Sequence, residues 1–163
     1  MQKITPVLWF DMKAEEAAEF YTSLLPDSHV DKVIRAPADT PSGPKDYPMV
    51  VEFTLAGQKY AGLNGGPLFT PNESVSFQIV TEDQAETDRL WNAILAKGGT
   101  ESACGWIKDP WGFSWQITPR ILLDLLTDSD AARSKRGFEA MMKMRKIDIA
   151  TIEAAADAQP VDA

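Results

Sequence analysis

Two amphipathic helical stretches lie a constant seventy residues apart, each between strand-like runs, and this internal repeat limits the folds open to the chain. From Ala14 to Leu25 the apolar residues Ala17, Phe20, Tyr21, Leu24 and Leu25 recur at three-and-four spacing. Glu15, Glu16 and Glu19 stand early in that stretch, where negative charge suits the helix dipole, and Pro26 ends it. Between Gln84 and Lys97 the same face recurs, with Leu90 in place of Phe20, Trp91 of Tyr21, Ile94 of Leu24 and Leu95 of Leu25. Any two amphipathic helices share such a face, but here the flanking strands correspond as well, which favours a true duplication.

The strands complete each half. Ile4 to Phe10 is a short run rich in β-branched and aromatic residues, and Val30 to Ile34 is a second. Met49 to Leu55 and Lys59 to Leu63 flank the turn Ala56-Gly57-Gln58 and read as a hairpin that closes on Asn64-Gly65-Gly66-Pro67. The Pro- and Gly-rich stretch from Pro37 to Pro48 reads as a mobile surface loop. In the second half, a strand from Val75 to Val80 leads through Glu82-Asp83 into the helix, Gly98-Gly99 stops it, and strands follow on either side of Asp109-Pro110-Trp111-Gly112. The predicted fold is α+β: paired βαβββ half-modules at 3–66 and 74–119 forming a cupped mixed sheet, plus a helical tail at 120–158, all within one domain of 1–163.

Charge and cysteine content narrow the partners. The net charge of −8 disfavours attraction to nucleic acid or an anionic lipid surface. Arg133, Lys135, Arg136, Lys143, Arg145 and Lys146 form one basic cluster, but apolar residues interrupt it and it reads as a solvated helix face. Cys104 is the only cysteine, so no intrachain disulfide forms and a reducing compartment fits best. The apolar run near the N-terminus is cut by Asp11 and Lys13, unlike a signal peptide or a membrane span, and the expected location is cytoplasmic.

Strand alternation points to where chemistry lies. In Ser76-Phe77-Gln78-Ile79 the apolar residues face one way and Ser76 and Gln78 the other; in the strand from Phe113 to Thr118 the polar set is Ser114, Gln116 and Thr118. The two polar sets are expected to converge. A polar sheet face is ordinarily just wet. Against that, Trp9, Trp106 and Trp111 supply aromatic walls beside neutral hydrogen-bonding groups, the mix of a small-molecule pocket, although each could equally be core. His29, the only histidine, follows Pro26 and reads as a surface residue away from those strands. Cys104 borders a pocket strand and is read as a buried thiol with no histidine near in sequence to activate it. Glu52 and Asp109 are candidates for acid–base work.

The strings ITPVLWFDMKAEEAAEFYTSLLPDS, GLNGGP, SFQIVTEDQAETDRLW, CGWIKDPWGFSWQITP and AMMKMRKIDIATIEAA together resemble the PhnB-like branch of the vicinal-oxygen-chelate superfamily, with its glyoxalases, bleomycin-resistance proteins and dioxygenases. The resemblance extends over nearly the whole chain, tail included. It implies four metal positions on the first and last strands of each half, which carry over to Thr5 or Pro6, Asn64, Ser76 and Gln116. None is a usual donor for zinc, nickel, manganese or iron, so no metal and no cofactor are expected. Members of the branch bear the label 3-demethylubiquinone 3-methyltransferase, yet no strand here runs into a glycine-rich turn and helix of the kind a nucleotide-like cofactor leads one to expect. The ligand-pocket candidates are therefore Thr5, Trp9, Asn64, Ser76, Gln78, Trp106 and Gln116, for a small molecule of unknown identity. The alternatives are a metal-free or atypical enzyme, an isomerase, lyase or the labelled quinone methyltransferase, and a dimeric interaction module. The resemblance also implies a homodimer, and Phe138, Met141, Met142, Met144, Ile147, Ile149 and Ile152 give the tail apolar surface for one unless it buries them on its own chain.

Overall fold

A computed structural model describes residues 3–158. The chain divides between Pro71 and Asn72 into two compact units. In the first, the order is β1 (Val7–Phe10), α1 (Ala14–Leu24), β2 (His29–Arg35), β3 (Pro48–Leu55) and β4 (Gln58–Asn64). The second holds β5 (Ser76–Thr81), α2 (Gln84–Ala96), β6 (Thr100–Glu101), β7 (Trp106–Lys108) and β8 (Ser114–Pro119), followed by α3 (Arg120–Leu126), α4 (Ala131–Met141) and α5 (Ile149–Asp157). The fold is mixed α+β, and each unit contains the βαβββ pattern that the repeat predicts.

The two sheets share one topology. The strand orders are β1-β4-β3-β2 and β5-β8-β7-β6, with the first and last strands of each module parallel and the others antiparallel. One helix covers one face of each sheet. In the first, Ala14, Ala17, Ala18, Tyr21 and Leu24 of α1 are buried with Leu8, Phe10, Val51 and Phe53. Small side chains let the helix lie close: a Cβ at Gly62 of β4 would stand 2.9 Å from the Cβ of Ala14, a separation real Cβ atoms do not tolerate. In the second, Leu90, Trp91 and Ile94 of α2 are buried along with Ile79, Ile107, Trp115 and Ile117. Tyr21 and Trp91, and Leu24 and Ile94, keep equivalent buried places, as the seventy-residue offset requires.

Asp83 caps α2, its carboxylate accepting the Glu86 N–H at 2.8 Å. The Pro37–Pro48 stretch, expected to be mobile, is instead pinned. Thr40 and Gly43 pair through their backbones, the Asp39 carboxylate takes the Lys45 N–H, Ser42 Oγ donates to the Gly65 carbonyl, and the Tyr47 ring is buried against Gly43.

The tail makes its own core. Leu122, Leu125, Met141, Ile147, Ile152 and Ala156 are buried together, with Cys104, Ile121 and Met144 packed on them. Gln84 of α2 fastens it, donating to the Ile147 carbonyl at 3.1 Å and accepting from the Ile149 N–H at 2.8 Å. The basic cluster is largely engaged: Arg133 pairs with Asp128 and Asp157, Arg145 with Glu101 and Lys146 with Asp88, while Arg136 donates to the Ala156 carbonyl at the C-terminal end of α5. Of the seven apolar residues predicted to form a surface, Met141, Ile147 and Ile152 are instead interior, whereas Phe138 and Met142 remain exposed. No helix among the described residues is long and apolar enough to cross a membrane.

Candidate functional site

The face of each sheet opposite its helix is where polar side chains gather. In the second module β5 and β8 pair in parallel, Ser76 with Ser114, Gln78 with Gln116 and Val80 with Thr118, while Gln116 also pairs with Trp106 of β7. Residues paired across strands point to the same side, so Gln78, Gln116 and Trp106 form one row and Ser76, Ser114 and Lys108 the next. The rows are cross-braced. Gln116 Nε2 donates to Ser76 Oγ at 2.8 Å, and Gln78 Nε2 donates to Thr118 Oγ1 at 3.3 Å. The expected convergence of the polar sets of these two strands is thus observed, with Gln78 exposed, Ser76 and Gln116 half-buried, and Ser114 and Thr118 buried. Lys108, which ends the second row, pairs with Glu73 and holds that carboxyl below its usual range.

The registers settle which positions of the two modules correspond. The last rung between β1 and β4 is Phe10 with Asn64, and that between β5 and β8 is Thr81 with Pro119. Counting back from these rungs, Thr5 answers to Ser76, Val7 to Gln78, Ala61 to Gln116 and Glu52, the partner of Ala61 on β3, to Trp106. Asn64 is therefore a correction. It lies on the helix side, 1% exposed; its Oδ1 accepts the Ala14 N–H at 2.9 Å and its Nδ2 donates to the Pro48 carbonyl at 2.7 Å. The β4 position equivalent to Gln116 is Ala61, and Thr5 rather than Pro6 occupies the β1 position. The four places are then Thr5, Ala61, Ser76 and Gln116, again without imidazole, carboxylate or thiolate. Among the described residues no three His, Cys, Asp or Glu side chains are gathered so as to hold a metal.

The first module carries a different set. A groove of about 370 Å³ is lined by Thr5, Val7, Asp31, Glu52, Lys59, Tyr60 and Ala61. Asp31 reaches it through a β-bulge: Val30 pairs with Phe53 and Lys32 with Glu52, which leaves Asp31 as the extra residue. Its carboxylate accepts from Lys59 Nζ at 2.6 Å and from Thr54 Oγ1 at 2.8 Å, and His29 Nε2 lies 3.3 Å from it. These bonds, that from Lys59 foremost, hold the Asp31 carboxyl below its ordinary value. Burial raises the Tyr60 phenol, which stays protonated at neutral pH. His29, expected at the surface away from the pocket strands, is exposed and opens the edge strand β2 opposite Thr54.

Trp9 lies on the same side of the first sheet as Val7, beside a second hollow of about 690 Å³ lined also by Pro41, Ser42, Gly65, Gly66, Pro67 and Leu68. Its indole N–H donates to the Gly66 carbonyl at 2.7 Å, and Phe69 meets the ring edge-on at 4.8 Å. Two further candidates are structural. Asp109 is 4% exposed and accepts from the Trp111 and Phe113 N–H groups and from Trp115 Nε1, so it ties the turn to β8. Cys104 sits at a left-handed φ of 59°, its N–H on the Met144 carbonyl at 2.8 Å and its side chain against the tail core. What the sequence could not display is the Asp31 cluster, because a bulge changes which side a residue faces without altering the apolar pattern.

Parallel outer strands, a three-strand return and one helix per sheet define a glyoxalase-like fold built of two βαβββ modules. The fosfomycin resistance protein FosX from Mesorhizobium loti shares it, at 11% identity and a TM-score of 0.52 over 78% of this chain and 100% of that one. So does protein PA1353 from Pseudomonas aeruginosa, at 20% identity and 0.59 over 73% and 98%. The PhnB protein from Bacillus cereus is 32% identical, with a TM-score of 0.65 over 72% of this chain and 99% of that one. No curated protein matches the chain. The profile of the family described as 3-demethylubiquinone-9 3-methyltransferase matches residues 2–118, and the chain belongs to that PhnB-like family. The match ends at Thr118, so the helical tail, contrary to expectation, lies outside it.

Proposed function

We propose that the chain is a small-molecule-binding protein and that the second module presents its recognition face. The row of Gln78, Gln116 and Trp106 carries this reading. With Gln116 Nε2 given to Ser76, the carbonyl oxygens of both glutamines and the Ser76 hydroxyl hydrogen remain to meet a ligand, beside an indole wall. Neutral donors and acceptors next to a flat aromatic suit an uncharged polar molecule with a planar part. Thr5, Ala61, Ser76 and Gln116 do not fit a divalent metal, which calls for anionic or imidazole donors, so the reading is of binding without one. A cytoplasmic location belongs to the same reading, since Cys104 has no disulfide partner in its own chain.

Native mass spectrometry of freshly purified protein, under conditions that keep small molecules bound, tests the proposal. The expected result is a carried compound that Gln116→Leu releases while circular dichroism stays unchanged. Protein that carries nothing, and shows no thermal shift across a library of neutral heteroaromatic compounds, would remove it. The family description names methyl transfer to a demethylated quinone; a bound quinone or adenosyl compound would favour that enzymatic reading instead.

A further inference from the structure

We propose that the groove of the first module binds a small primary amine as its ammonium ion, with Glu52 as the counter-ion. The site rests on the same open-face reading as the proposed function but on the other module and a different chemistry. Asp31 and Lys59 satisfy one another at 2.6 Å, and Thr54 takes the second carboxylate oxygen, so this pair contributes no net charge to an incoming ligand. Glu52 is different: among the described residues nothing donates to it and no cation pairs with it. It stands in the middle of the row between the edge strand residue Lys32 and the apolar Ala61 and Val7.

The groove thus holds one unmatched negative charge above an apolar floor, with Thr5 and Tyr60 among its lining residues. An ammonium group on a short carbon chain matches both parts. The carboxylate takes a charge-assisted hydrogen bond, and the chain covers Val7, which is 60% exposed without it. An anion would meet Glu52 and Asp31 against the single Lys59, and a neutral alcohol would forgo the ion pair. The volume of about 370 Å³ lies toward the small end of ligand sites, and the chain's net charge of −8 draws cations toward it.

Calorimetric titration of the intact chain at low ionic strength with n-hexylamine, n-hexanol and hexanoate tests this. Hexylamine is expected to bind at least about tenfold more tightly than hexanol, and hexanoate not at all. Glu52→Gln, a substitution on an exposed strand position, should bring the amine down to the affinity of the alcohol and leave the alcohol unchanged. Lys59→Met removes the neighbouring positive charge and should tighten the amine. Equal binding of amine and alcohol, an amine affinity that Glu52→Gln leaves alone, or no binding of hexylamine would each overturn the proposal. These outcomes are independent of the ligand released by Gln116→Leu, so either reading can fail while the other stands.

Discussion

Asn64 holds the first residue of α1: its Oδ1 accepts the Ala14 N–H at 2.9 Å across fifty residues of chain. The N-terminal N–H groups of a helix have no intrahelical partners, and α1 has no side-chain cap from Lys13. Asn64 supplies the acceptor from a neighbouring strand. Its replacement by Ala leaves the Ala14 N–H and the Pro48 carbonyl without it, and should cost about 1–3 kcal/mol of unfolding free energy, read as a lower urea midpoint. If Asn64 served a ligand instead, the midpoint would stay put.

Gly65 is set by Trp9. A Cβ built at Gly65 would fall 2.2 Å from the indole ring, so Gly65→Ala must push the ring off the Gly66 carbonyl and away from Phe69. The expected result is a weakened near-ultraviolet dichroism signal and a loss of about 1–3 kcal/mol, typical of overpacking. An unchanged spectrum would mean that the indole does not rest on Gly65.

Asp31 gives the first module an acid limit. Its folded pKa lies below the ordinary 3.8, chiefly through Lys59 and then Thr54, so folding favours the ionised form. The contribution is whole above about pH 5 and is lost as pH falls through the lower folded value. Urea midpoints from pH 6 to pH 2 should therefore drop less steeply at the acid end in Asp31→Asn than in the parent. Parallel curves would show that Asp31 is not preferentially ionised in the folded chain.

A homodimer, expected from the family resemblance, stands as a proposal. Met141, Ile147 and Ile152 are committed to the tail's own core, which leaves Leu126, 49% exposed, Phe138, 39% exposed, and Met142, 52% exposed, as apolar surface of the tail. Light scattering at micromolar concentration should give twice the chain mass, and the Phe138→Ser, Met142→Ser double variant should lower it if the tail forms the interface. A mass of one chain would end the proposal.

The fold was legible because its signals are local and repeated. Pro26 and Gly98 stop helices, Asp83 starts one, and the alternation in β5 and β8 placed Gln78 and Gln116 on the open side, where they pair. Asn64 stands three places past Ala61 on β4, an odd step that reverses the face, and Pro6 stood beside Thr5 as an alternative for a definite reason. Three residues, Asp11 to Lys13, join β1 to α1, whereas Glu82 and Asp83 alone join β5 to α2, so a constant offset carried from helix to strand is wrong by one, and one residue reverses the face. The Asp31 cluster was hidden by its bulge. The tail's methionines showed the right hydrophobicity but not the direction, since three short helices can bury such residues on each other as readily as against a partner.

The parallel pairing of each module's outer strands bears on how the chain reaches its native state. β3 and β4 meet across the Ala56-Gly57 turn, but β1 meets β4 only when Val7 finds Ala61, after everything between them has been ordered. Closing so long a loop costs chain entropy before any contact offsets it, so the hairpin is expected to form early and β1 to dock late. Val7 and Ala61 are also the floor of the amine groove. A chain halted before that last docking step has a helix and a hairpin but nowhere for the ammonium ligand to sit, so a ligand of this groove should slow unfolding while leaving the folding rate almost untouched in stopped-flow measurements.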